Sequence, residues 1–78
     1  MTQAGQEEIR RALAKGEPVR DVVVDSDLAF AQQRFARPVV FENCQFKGLV
    51  NLSGARFLWS LIFTGCEFDA GLRMTAAW

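Results

Sequence analysis

The sequence predicts an all-β fold, a short solenoid closed at its N-terminal end by an α-helix, and three observations lead to it. All seven phenylalanines, at 30, 35, 41, 46, 57, 63 and 68, follow alternating steps of five and six residues, with Leu52 filling the one gap. Cut every eleven residues, the chain aligns as LAFAQQRFARP (28–38), VVFENCQFKGL (39–49), VNLSGARFLWS (50–60) and LIFTGCEFDAG (61–71). Phe or Leu holds the third slot of each unit and Phe the eighth. A fixed short period is the signature of stacked repeats, each burying its apolar face against the next. Finally, the segment before the repeats carries a helical rather than a strand pattern of apolar residues.

Residues 1–78 make one domain, because a chain this short has room for only one core. Residues 6–15 read as the helix. Ile9, Ala12 and Leu13 share one face, Glu7 and Glu8 lie in the first turn, and Lys15 lies in the last. Gly16 stops it and Pro18 prevents its resumption. So short a helix needs a surface to pack on. The open end of the solenoid is one such surface, which makes the helix a cap, and a partner protein is the other. Residues 19–27 read as a β-branched lead-in strand, Val19 to Val24, followed by a turn. The repeats then occupy 28–72. Slots 1, 3, 6 and 8 face inward, whereas slots 4 and 5 (Glu42-Asn43, Ser53-Gly54, Thr64-Gly65) form turns. Residues 73–78 are expected to form a tail, with Met74 and Trp78 frayed unless they plug the column.

Composition narrows the function. Nine basic and nine acidic residues cancel, so no global field draws the chain to nucleic acid or anionic lipid. The charges are unevenly placed, however. Residues 1–27 hold four basic and six acidic side chains, and 28–78 hold five basic and three acidic. No apolar stretch is long enough to span a bilayer, and the first residues lack the apolar core of a secretion signal. With two cysteines and no such signal, the expected setting is a reducing cytoplasm.

The units ENCQF, SGARF and TGCEF, each preceded by an apolar residue, resemble the pentapeptide-repeat proteins. In that family every fifth residue is Phe or Leu, with a small residue two places before it. The matching pairs here are Cys44/Phe46, Ala55/Phe57 and Cys66/Phe68. The lead-in EEIRRALAKGEPVRDVVVDSDLAF also resembles the capping segment of one bacterial and archaeal subgroup with the same five-plus-six spacing. The resemblance implies a right-handed quadrilateral β-helix of about two coils, two eleven-residue units to each coil. Residues 22 apart then stack: Phe41 with Phe63, Phe46 with Phe68, Phe35 with Phe57, Phe30 with Leu52, and Cys44 with Cys66. Three features depart from the family pattern. Gln33 occupies a small-residue slot, Leu58-Trp59 stand where polar residues are usual, and no polar segment caps the end.

Candidate chemistry is sparse. The chain has no His and no Tyr, which removes most general bases and imidazole metal sites. Cys44 and Cys66 fit as small core residues, and stacked parallel side chains suit a disulfide poorly. Glu67 and Asp69 read as a solvated surface with Gln45 and Lys47. No catalytic, metal or cofactor site is expected.

The surface carries more. Leu58 and Trp59 fall in outward slots near a corner, to form an interface or else lie under the helix or tail. Val40 and Ile62 stack on one outer wall, Arg34 and Arg56 on another, and Leu72 edges the open end. Exposed Trp beside Arg is the composition of an interface hot spot. The reading is therefore a non-catalytic module for protein–protein contact or self-association, a dimer through the open end or the lateral wall. The resemblance also raises a DNA-mimicking topoisomerase binder, but that needs long acidic rows, and only Glu42, Glu67 and Asp69 lie in the repeats. Weak nucleic-acid binding by Arg34 and Arg56 is the third alternative.

Overall fold

One residue in eleven bends this chain into a column. In the structure, a computed structural model that describes residues 2–77, Asp21, Gln32, Asn43, Gly54, Gly65 and Ala76 all have left-handed backbone, with φ of 55°, 61°, 57°, 70°, 61° and 57°. All six occupy the fifth slot of their unit. Each turns the chain through a corner, so that two corners of this kind and two at the unit boundaries make a four-sided coil. Left-handed backbone costs an L-residue about 1 kcal/mol, and glycine escapes that cost. Asn and Asp tolerate it best among the others, and Asn43 further donates from Nδ2 to Asp21 Oδ1 at 2.8 Å.

Between corners the backbone is extended. In chain order the elements are β1 (Thr2–Gln3), α1 (Gln6–Lys15), β2 (Val19–Arg20), β3 (Val22–Val24), β4 (Leu28–Ala29) and β5 (Arg34–Phe35). There follow β6 (Val39–Glu42), β7 (Gln45–Phe46), β8 (Val50–Asn51), β9 (Arg56–Phe57), β10 (Leu61–Thr64), β11 (Glu67–Phe68) and β12 (Leu72–Arg73). They stack in parallel as four sheets, ordered β2-β6-β10, β1-β3-β7-β11, β4-β8-β12 and β5-β9. Pairing is 22 residues apart throughout, as in Val39↔Leu61, Gln45↔Glu67, Val50↔Leu72 and Phe35↔Phe57. Only β1 differs, joining β3 at a separation of 20 through Thr2↔Val22.

This register makes columns of the phenylalanines. Phe41–Phe63, Phe46–Phe68 and Phe35–Phe57 stack with near-parallel planes and centroids 5.2, 5.0 and 5.1 Å apart, a separation that fits offset rather than eclipsed rings. Within a coil the third and eighth slots meet edge to face, as in Phe41–Phe46 at 5.4 Å and 80°. Both geometries suit the ring quadrupole. Each buried ring contributes about 1.5–3 kcal/mol by leaving water.

The helix spans the predicted residues and caps the first coil. Ile9 and Leu13 are buried with Val24, Leu28 and Phe30 in one core. At its start the Glu8 carboxylate accepts from the Gly5 N–H at 3.5 Å, and at its end Gly16 adopts φ 74°. There the Gly16 and Glu17 N–H groups donate back to the Leu13 and Ala12 carbonyls, closing a Schellman turn. Gln6 exchanges two hydrogen bonds of 3.2 Å with the Ala29 backbone, satisfying the free edge of β4, while β1 covers that of β3.

Two predicted boundaries change. Val19–Val24 is not one strand: Asp21 breaks it into β2 and β3, which pair with β6 and β7. It is a repeat unit in which Val19 and Val24 hold the Phe slots. At the other end, the predicted 73–78 tail continues the repeat rather than fraying. Arg73 belongs to β12, Met74 takes the third slot above Leu52, and the Gly54 N–H donates to the Thr75 carbonyl at 2.8 Å. Trp78 lies outside the described residues.

The corners make two predictions for urea denaturation. A Cβ on Gly48 would lie 2.7 Å from backbone atoms of Ser26 and Asp27, so Gly48→Ala should lose about 1–3 kcal/mol. Gln32→Gly should instead gain roughly 0.5 kcal/mol by relieving its left-handed backbone.

Candidate functional site

The two ends of the column are chemically unlike. The first coil is sealed by α1, and its inward Val19, Val24, Leu28, Phe30 and Phe35 are buried. In the last, the same slots hold Phe63, Phe68, Leu61 and Cys66 with only a coil beneath them, and these side chains are half-buried. Leu72 and Met74 complete that face, each 38% exposed.

The side wall departs further from what burial demands. Leu58 and Trp59 sit in slots 9 and 10, where the chain leaves β9 and turns toward β10. They point outward and are 51% and 66% exposed, covered by neither helix nor tail among the described residues. Around that corner, Ile62 of β10 is 44% exposed and stacks in register on Val40 of β6. On the other flank, Arg34 of β5 and Arg56 of β9 pair directly and both face solvent. Six of the sequence-predicted residues thus gather around one vertical corner. Leu72 stands apart from them, at the end of the β4-β8-β12 side. Cavities open on both flanks of Trp59. One, of about 540 Å³, is lined by Ala36, Arg37, Pro38 and Trp59. The other, of about 340 Å³, is lined by Phe57, Trp59, Leu61, Met74 and Ala77, and so links the corner to the end face.

Several charges elsewhere on the walls are matched coil against coil. Arg20 meets Glu42 at 2.9 Å, Lys47 meets Asp25 at 3.8 Å, and Gln45 donates to Asp69 at 3.1 Å. Of the predicted surface of Glu67, Asp69, Gln45 and Lys47, Gln45 and Asp69 pair with each other, whereas Lys47 turns to Asp25 and Glu67 makes no ion pair among the described residues. Arg34–Arg56 differs, for it stacks like on like. Sequence reading placed that pair correctly but missed Arg37, which the corner brings beside Trp59. The eleven-residue register carries this signal, since Arg37 and Trp59 share the tenth slot 22 residues apart.

The two cysteines are free and serve the column. Cys44 is buried, and its thiol faces the carbonyls of Val19 and Glu42 at 3.4 and 3.3 Å. Burial pushes that thiol above its ordinary pKa, outweighing the lowering effect of backbone hydrogen bonds at Val22 and Glu42. Cys66, predicted as a buried core residue, is only half-buried because no coil stacks on it. Among the described residues no group of His, Cys, Asp and Glu could hold a metal ion, and no helix is long and apolar enough to cross a membrane.

Comparison with known proteins agrees with this geometry. The family model for pentapeptide repeats, nine copies long, matches residues 30–78. No curated protein and no solved structure matches the chain significantly.

Thiol labelling checks the difference between the ends. In the native protein, iodoacetamide should modify Cys66 and leave Cys44 intact, and denaturation should expose both, read by peptide mass. Because the folded chain holds the Cys44 proton more tightly than the unfolded one, this contribution to stability is full below the unfolded thiol pKa. It should fade as pH rises through the raised folded value. Equal native labelling of both thiols would contradict the burial gradient.

Proposed function

Because the chain belongs to the pentapeptide-repeat family, we propose that it is a non-catalytic interaction module. It would bind another polypeptide, or a second copy of itself, through the corner at Leu58 and Trp59. One observation supports this reading above the others. Every exposed large hydrophobic among the described residues (Leu58, Trp59, Ile62, Leu72 and Met74) lies within one short segment, at one end and one corner of the column. Singly scattered apolar residues are ordinary on a surface, but Leu58, Trp59 and Ile62 gathered at one corner have the character of a contact site.

The outward slots matter most. Leu72 and Met74 occupy inward slots and are exposed as an end face, which any further layer would cover. Leu58, Trp59 and Ile62 point away from the column axis, so stacking on the end would not bury them. The fold gains nothing from apolar residues there, and a polar residue in those slots would suit the column equally well. A large aromatic ring ringed by aliphatic and guanidinium groups is the usual composition of a binding anchor. The end face offers a second contact, where the unpaired edges of β9 to β12 favour stacking of another chain.

Self-association is measured by light scattering after size exclusion, on the parent, Trp59→Ala and Met74→Glu. The proposal predicts a mass above the 8.7 kDa of one chain that falls toward it as protein is diluted. Loss of the larger species in Trp59→Ala places the contact at the corner, and loss in Met74→Glu places it on the end face. Removing the central aromatic should weaken association by about thirtyfold or more, corresponding to the 2 kcal/mol typical of a hot spot. A monomer at every concentration rules out self-association and leaves a different polypeptide as the occupant.

A further inference from the structure

We propose that the β5-β9 side and its adjoining corner bind an acidic segment of a partner protein, its carboxylates on Arg34 and Arg56 and an apolar side chain beside Trp59. This names the partner chemistry of the module described above and rests on that reading.

The first support is the charge pattern of the walls. Where one charged residue stacks on another from the next coil, the two are of opposite sign in Arg20–Glu42 and Lys47–Asp25, and Asp21 accepts a hydrogen bond from Asn43 above it. Directly opposed like charges destabilise a sheet. Arg34 and Arg56 are nevertheless held in register as neighbours, on the one side that has just two strands among the described residues. No carboxylate forms an ion pair with either among the described residues, and the side contributes no acidic residue of its own. Strand spacing of about 4.8 Å puts the two guanidinium groups close enough to share one carboxylate or to hold two neighbouring ones. Arginine suits this role because its planar fork matches a carboxylate in two-point contact.

The second support is what adjoins the pair. The next corner carries Arg37, a third cation that forms no ion pair among the described residues, in the cavity it lines with Ala36, Pro38 and Trp59. Its stem lies against Gly16, which has no side chain to obstruct it. An extended segment crossing this wall would therefore meet cations first, then an apolar pocket with an aromatic wall, and then Ile62 and Val40. That order fits a polypeptide with acidic and apolar residues close together. A nucleic-acid strand fits less well. Two cations one strand apart do not track a phosphate backbone, and the aliphatic surface beyond Trp59 offers phosphate nothing.

The test uses the full chain and three fluorescein-labelled probes: a peptide alternating glutamate and leucine, one alternating lysine and leucine, and oligothymidylate. Anisotropy should show binding of the glutamate peptide alone, weakened by added salt. The double variant Arg34→Gln/Arg56→Gln should lose about tenfold or more in affinity. It should melt no lower than the parent, since a repulsive pair has been removed, and this separates lost recognition from lost folding. Equal binding of the lysine peptide, preference for oligothymidylate, or unchanged affinity in the double variant would overturn the proposal. If glutamate-peptide binding survives the double variant but not Trp59→Ala, the interaction reading stands and the acidic partner does not. If no peptide binds and the chain is monomeric at every concentration, both fall.

Discussion

Every inward contact in this protein depends on a coil being 22 residues long. Parallel strands stack about 4.8 Å apart, and near-parallel rings set off axis from one another span that step in contact. A column of phenylalanines therefore fills the axis with neither gap nor overlap, provided that each ring lies above its counterpart. The centroid spacings of 5.0–5.2 Å show that condition being met. Hydrogen bonding and ring stacking then reinforce each other, because the register that pairs the strands also aligns the rings. The left-handed residue in each fifth slot maintains the coil length. It costs some backbone energy, which the stacked core offsets.

A stack of identical layers leaves the problem of its two ends. At the first end the chain resolves it with three devices. The helix covers the core with Ile9 and Leu13, Gln6 satisfies the edge of β4, and β1 pairs with the edge of β3. At the far end, Phe63, Phe68, Leu72 and Met74 remain partly open. Exposure therefore rises along the column from a sealed face to a receptive one. The outward Leu58-Trp59 corner lies near the receptive end, so the two surfaces are continuous through the cavity between Trp59 and Met74. Structure and proposed contact share one cause: repetition makes a rigid wall, and departures from the repeat single out the surface proposed as the contact.

Much of this was legible in the sequence, for physical reasons that also explain the omissions. Phenylalanine is rare enough that seven at regular steps fix the period, and the period fixes the pairing. The helix was legible because Glu7, Glu8, Lys15 and Gly16 each suit one terminus. The unit at Val19–Val24 was hidden because valine replaces phenylalanine, so its β-branched run read as a single strand. Asp21, the residue that bends it, gives no sign beyond tolerance of left-handed backbone. Met74 was missed for a similar reason, as a flexible side chain standing where a ring is usual. The candidate surface was legible wherever it broke the pattern, in Leu58 and Trp59. Arg37 was not, because a lone arginine in an outward slot obeys the pattern, and only folding brings it beside Trp59.

The claim that coil length governs the fold can be tested by changing that length in two ways. In one variant residues 39–60 are duplicated in tandem, adding one whole coil. In the other a single residue is inserted after Gly48, which adds far less chain but moves everything beyond it out of register. Thermal melting followed by circular dichroism should show the duplication folded and melting higher than the parent, with the insertion unfolded or severely destabilised. An insertion that melts like the parent, or a duplication that fails to fold, would contradict the account.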